Sequence, residues 1–153
     1  MAITFRYRFS QRFVVSAQEA YNWCTDFQSE DHALMGEENA KREVRWLTDS
    51  TIILKETFHS GQGEIVKEKL VQLYPDRFMW VSTHISGVNM YSQFIYEIIS
   101  EDAGSRLDFT ALHIEHTETL SKKRFKALAD QLFSYDSGVW KRLAKTMEKE
   151  LKS

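Results

Sequence analysis

Residues 13–27 read FVVSAQEAYNWCTDF, and the change of pattern inside this stretch organises the rest of the chain. Phe13, Val14 and Val15 continue an apolar strand, and Ser16 ends it. Ser16 and Glu19 stand at capping-box spacing, where each side chain can satisfy the other's backbone N–H at a helix start. The spacing predicts a helix over 17–27, with Ala20, Tyr21, Cys24 and Phe27 on one stripe. A strand therefore passes into a helix with almost no loop.

Upstream, Ile3, Phe5, Tyr7 and Phe9 alternate with Thr4, Arg6 and Arg8, the pattern of a half-buried strand. Downstream, a second short helix is expected over 30–35, ending at Gly36. From 41 to 115 the period is that of β-strands. Turn signals fall at TDS (48–50), GQG (61–63), YPDR (74–77), GV (87–88) and EDAG (101–104). Six strands lie between and beside them, and connections this short make neighbours antiparallel. From Ser121 to the end the period becomes helical, with Phe125, Leu128, Leu132, Val139, Trp140, Leu143 and Met147 at three- and four-residue steps. Gly138, inside DSG, is expected to bend or break that helix.

The order strand, two short helices, six strands, long helix resembles the helix-grip fold of the START / birch-pollen-allergen superfamily (SRPBCC), with its polyketide cyclase and lipid-transport members. The segment SAQEAYNWCTDF supports this: it is similar to the superfamily's usual first-helix entry, a small residue followed by Glu, an aromatic pair and an Asp. The resemblance implies an α+β domain spanning 1–153, with a seven-stranded antiparallel sheet curled around the C-terminal helix. It also implies a cavity between them, one end plugged by the two short helices. The superfamily shares no catalytic motif, so no catalytic residue carries over.

Composition agrees with a folded domain. Of 153 residues, 42% are hydrophobic and 13% aromatic, so aromatic rings should dominate the interior. A net charge of −2 makes no electrostatic case for nucleic acid. No stretch approaches the roughly 18 apolar residues of a membrane span. One cysteine, Cys24, excludes an internal disulfide; on its apolar stripe it reads as core, and the chain is expected to be cytoplasmic.

Facing residues of an antiparallel hairpin point to the same side, so each turn length relates two strands. Three-residue turns at TDS and GQG, two-residue turns at PD and GV, and a four-residue turn at EDAG give one apolar face. It comprises Val44, Trp46, Ile52, Leu54, Phe58, Val66, Leu70, Met79, Val81, Ile85, Met90, Phe94, Tyr96, Ile98, Leu107, Phe109 and Ala111. The other face takes Lys55, Lys67, Lys69, Asp108 and Thr110. Arg42, Glu56, Glu68, Thr83, Ser92 and His113 fall on the apolar side. An unpaired charge there is costly, so these groups form a paired rim, a polar anchor for a ligand, or a Glu56–Glu68 acid–base pair. HIEHTE (113–118) puts His113 and Glu115 on one face and His116 on the other, with no further ligand spacing, so no metal and no cofactor are expected. GQGE precedes a strand and is a hairpin turn rather than a phosphate loop.

The expected function is binding, with transport as a variant, of a small hydrophobic or amphipathic molecule. The lining would be Trp46, Glu56, Glu68, Thr83, Phe94, Tyr96, Phe109 and His113 from the sheet, and Phe125, Phe133 and Trp140 from the helix. A cyclase- or aromatase-like enzyme in the same cavity, and a cavity-less interaction module, are the alternatives. On the outer face the same registers gather Val71, Trp80 and Ile95, an apolar cluster that reads as a homodimer interface.

Overall fold

A computed structural model describes residues 2–27, 40–61, 63–117 and 119–152. The expected second helix over 30–35 lies outside the described residues. Strand β1 (Ile3–Phe13) leads into helix α1 (Ala17–Cys24). Six strands follow: β2 (Ala40–Thr48), β3 (Thr51–Ser60), β4 (Gly63–Tyr74), β5 (Met79–Ser86), β6 (Gln93–Glu101) and β7 (Gly104–Glu115). A single 3-10 turn, Pro75–Arg77, joins β4 to β5, and helix α2 (Lys122–Lys152) ends the chain. The seven strands form one antiparallel sheet in the order β1-β7-β6-β5-β4-β3-β2, the expected α+β helix-grip arrangement.

The capping box at Ser16 is formed in both directions: Glu19 N–H donates to Ser16 Oγ, and Ser16 N–H donates to Glu19 Oε2 at 3.1 Å. Helix α1 nevertheless ends at Cys24, short of the expected Phe27. Thr25 caps it, with its backbone N–H and its hydroxyl both donating to the Tyr21 carbonyl. Ser16→Ala is expected to cost about 1 kcal/mol of stability, measured by urea unfolding, because it leaves first-turn N–H groups unpaired. The tight strand-to-helix entry is pinned from β7. Ser105 Oγ donates to the Val15 carbonyl at 2.9 Å. Gly104 has φ of +136°, and a Cβ there would collide with the Phe13 carbonyl, so only glycine lets the β6–β7 turn approach β1.

Helix α2 runs 31 residues without interruption, so Gly138 does not break it into two elements. It lies along β1. Phe125 stacks on Phe5 at 4.6 Å, Phe133 meets Phe9 edge-on, and Trp140 reaches Phe13, Trp80 and Tyr96. At its far end Glu150 accepts a hydrogen bond from Trp23 Nε1 at 2.6 Å, tying α2 to α1.

The registers agree with expectation at both flanks of the sheet and differ in the middle. Arg42–Glu56, Val44–Leu54 and Trp46–Ile52 pair across β2–β3, and Phe94–Ala111, Tyr96–Phe109 and Ile98–Leu107 across β6–β7, as read from the turns. The β3–β4 hairpin closes with Ser60 opposite Gly63, one residue tighter than a three-residue turn, and Glu56 faces Lys67 instead of Glu68. The β5–β6 connection is longer than a two-residue turn at GV, and Trp80, not Met79, pairs with Tyr96. Within that connection the Asn89 side chain donates to the Ile114 carbonyl and to Glu115 Oε1, both at 3.1 Å, anchoring it to β7. The β4–β5 connection is two residues longer than expected, which preserves the relation between these two strands.

Two one-residue slips therefore invert β4 and β5 as a block. Lys67, Lys69, Val71, Leu73, Trp80, Ser82 and His84 face the concave side. Val66, Glu68, Leu70, Met79, Val81, Thr83 and Ile85 face the convex side. Val71 and Trp80, expected on the outer surface, are 1% and 4% exposed core residues. The homodimer patch thus loses two of its three members, and Ile95 remains on the convex face opposite Val81. The core runs from Phe13, Ala20 and Tyr21 through Ile52, Leu54, Val71 and Trp80 to Ile98, Leu107, Phe109 and Met147.

Candidate functional site

Successive ladder partners divide the concave face into rows. Toward α1 the rows are apolar: Phe9, Phe109, Tyr96, Trp80 and Leu73 form one, and Tyr7, Ala111, Phe94, Ser82, Val71 and Ile52 the next. Trp80 lies flat on Tyr96 at 4.7 Å, and Tyr96 meets Phe109 edge-on at 5.2 Å. Toward the other end the rows turn polar. Leu54, Lys69 and His84 follow one another in one row and Arg42, Glu56 and Lys67 in the last, while His113, paired with Phe5, and Glu115 stand near the end of β7.

The charges of this polar band are compensated in part by one another. Glu56 is 1% exposed and takes Lys69 Nζ at 2.7 Å and Arg42 at 3.7 Å. His113 Nε2 lies 2.6 Å from Glu115, beside Asn89. His84 has no such partner: its Nδ1 is buried without a hydrogen bond among the described residues. Burial, with Lys69 and Lys67 adding to it, pushes the His84 imidazole down to about 3, so the ring is neutral at physiological pH.

A second polar group hangs from the helix over this face. Asp136 occupies the inward stripe of α2 that continues through Trp140, Leu143 and Met147, and accepts a hydrogen bond from the Tyr7 hydroxyl. Burial holds the Asp136 carboxyl above the usual carboxylate range. Burial and the Asp136 charge also push the hydroxyls of Tyr7 and Tyr96 far above the ordinary tyrosine range, so both remain protonated donors. Tyr96 is one of the expected lining residues and Tyr7 lies on the apolar side of β1, but Asp136 escapes the reading of the turns, since DSG reads as a helix breaker; an acid on an otherwise apolar helical stripe is the available signal.

The expected lining residues separate into three groups. Phe94, Tyr96, Phe109, Trp140 and Glu56 come together on the concave side, with His113 at its polar end. Phe125 and Phe133 reach it from α2 but remain 40% and 41% exposed, and Trp46 is 47% exposed on the edge strand. Glu68 and Thr83 are on the convex face, where Glu68 accepts from Ser86 and Thr83 accepts from Gln93. That removes the Glu56–Glu68 pair: the two carboxylates point to opposite sides of the sheet. Among the described residues no group of His, Cys, Asp and Glu is arranged to hold a metal ion, and no helix is long and apolar enough to cross a membrane.

Sequence comparison matches the chain to no family model and to no curated protein. Comparison of structures does find relatives in fold. A START superfamily protein from Mycobacterium smegmatis superposes with TM-score 0.68 at 16% identity, covering 95% of this chain and 98% of that one. The Zhui aromatase/cyclase from a Streptomyces species gives 0.67 at 9% identity, covering 99% and 96%. Ara h 8.0201 gives 0.70 at 10% identity, covering 96% and 99%. Identities this low speak for backbone architecture alone, and that architecture is the helix-grip fold common to START-superfamily, Ara h 8 and aromatase/cyclase structures.

Proposed function

We propose that the protein binds a small amphipathic, ring-containing molecule between the concave face of the sheet and helix α2. One observation carries this reading. Tyr7, Phe9, Phe94, Tyr96 and Trp140 face inward between sheet and helix, yet each is only partly buried. Aromatic surface at the centre of a fold that stays in contact with solvent is surface a ligand can cover, at about 25 cal/mol per Å² removed from water. The polar band and the Tyr7–Asp136 pair then orient the ligand's polar end. START-superfamily and aromatase/cyclase proteins of the same fold support a small-molecule role over that of an interaction module.

Native mass spectrometry beside the denatured chain tests whether a ligand is carried. Titration with N-phenylnaphthylamine, read by quenching of Trp80 and Trp140 fluorescence, tests whether the space accepts one. The expected result is saturable one-to-one binding, weakened roughly tenfold by Phe133→Ala. Phe133 is 41% exposed, so its loss should leave the fold intact. Absence of both carried mass and saturable binding would sink the proposal.

A further inference from the structure

Building on that binding site, we infer that its ligand carries an uncharged aromatic hydroxyl, held between the free oxygen of Asp136 and the hydroxyl of Tyr96, so that binding is linked to the protonation of Asp136. Asp136 Oδ2 is occupied by the Tyr7 hydroxyl. Asp136 is half-buried, and its other oxygen has no hydrogen bond to a described residue. Tyr96 is likewise half-buried, and its hydroxyl makes no hydrogen bond to a described residue. The Phe109 ring lies against both Tyr7 and Tyr96, at 6.2 and 5.2 Å, and Trp140, one helical turn beyond Asp136, lies 5.8 Å from Tyr96, so the three groups border one space. That space is walled by rings, with Phe133 and Phe109 against Tyr7, and Phe109, Trp80 and Trp140 against Tyr96.

A ligand O–H fits this pair of open groups. It donates to the carboxylate oxygen and accepts from Tyr96, and each partner gains the bond it lacks. An anionic head group would face the Asp136 charge. A cationic one would face Lys69 and His113, which already act on Asp136 from β4 and β7. A neutral hydroxyl on an aromatic ring meets neither repulsion and loses least on leaving water.

The pH dependence follows from the acceptor. Only the ionised carboxylate accepts from both Tyr7 and the ligand. Affinity is therefore full above the Asp136 pKa and is lost as pH falls through it. Because burial raises that pKa, the loss begins above the range of an ordinary aspartate. The groups around Asp136 are Tyr7 on β1, Tyr96 on β6, His113 on β7 and Lys69 on β4, so the test needs a variant confined to Asp136.

Naphthol, naphthoate and naphthylmethylamine are titrated calorimetrically into the wild-type chain, Asp136→Asn, Tyr96→Phe and His113→Gln, from about pH 8 to about pH 5. Naphthol is expected to bind tightest, to weaken about tenfold or more as pH falls, and to lose that dependence in Asp136→Asn, which preserves shape and an acceptor for Tyr7. Tyr96→Phe is expected to weaken naphthol without changing its pH profile, and His113→Gln to leave the profile in place. If naphthoate or naphthylmethylamine binds as tightly as naphthol, or if Asp136→Asn keeps the wild-type profile, the inference is overturned while the binding site stands. Failure of every naphthalene to bind overturns both.

Discussion

Trp80→Ala is expected to destabilise the protein by about 3–5 kcal/mol, the cost of emptying a large core site. For a chain of this length that corresponds to a fall in Tm on the order of 10 °C. Trp80 is 4% exposed, stacks flat on Tyr96, and makes further ring contacts with Tyr21 and Trp140. It joins the sheet, α1 and α2 through one side chain. Ile85→Ala is the matched control on the same strand. Ile85 is 41% exposed on the convex side, and its truncation should cost no more than about 1 kcal/mol. Urea unfolding followed by circular dichroism measures both. The reverse ranking, a costly Ile85→Ala beside a neutral Trp80→Ala, would restore the opposite facing of β5 and remove Trp80 from beneath the proposed site.

Glu56→Ala is expected to cost a similar amount, about 3–5 kcal/mol, for an electrostatic reason. The carboxylate is 1% exposed and is the partner that Arg42 and Lys69 share. Without it, two cations remain in the polar band without that counter-charge, and burial makes this far more costly than losing a surface pair. Lys69 has a side chain 21% exposed and can swing toward solvent, so Lys69→Met should be milder than Glu56→Ala. Glu68→Ala provides the contrast on the convex face and should cost less than about 1 kcal/mol. A double replacement, Glu56→Leu with Lys69→Met, should recover part of the loss, since an apolar pair needs no counter-charge. Chemical denaturation of the four variants decides the matter. Equal, small effects of Glu56→Ala and Glu68→Ala would mean that the Arg42–Glu56–Lys69 cluster is solvated rather than buried.

Both predictions turn on side chains whose facing came from different sources. The TDS turn puts Glu56 inward, and the β2–β3 ladder has the same register. The GQG and GV turns put Trp80 outward, and the ladder has it inward. One rule applies to both hairpins; they differ in what else constrains them. In β2–β3 the pairs Val44–Leu54 and Trp46–Ile52 leave one clearly more apolar face. In β4 and β5 both faces carry apolar residues, with Leu70, Met79, Val81 and Ile85 on one side and Val71, Leu73 and Trp80 on the other. A period-2 pattern cannot choose between two apolar faces, and a one-residue change of turn length exchanges them.

What the chain's own order of residues determined was local: the capping box that starts α1, the long helix after Ser121, the six strands between, and so the helix-grip fold. These depend on periodicity and on neighbours within a few residues. What the tertiary structure alone decided was which groups meet across it. Trp80 faces inward among Tyr21, Tyr96 and Trp140, and Lys69, paired with Leu54, reaches diagonally across β3–β4 to Glu56. Asp136 gains its partner from Tyr7, 129 positions away in sequence. Contacts of that separation leave no trace in local pattern, because turn length, loop anchoring by Asn89 and the packing of α2 on β1 must all be in place before the two residues are neighbours.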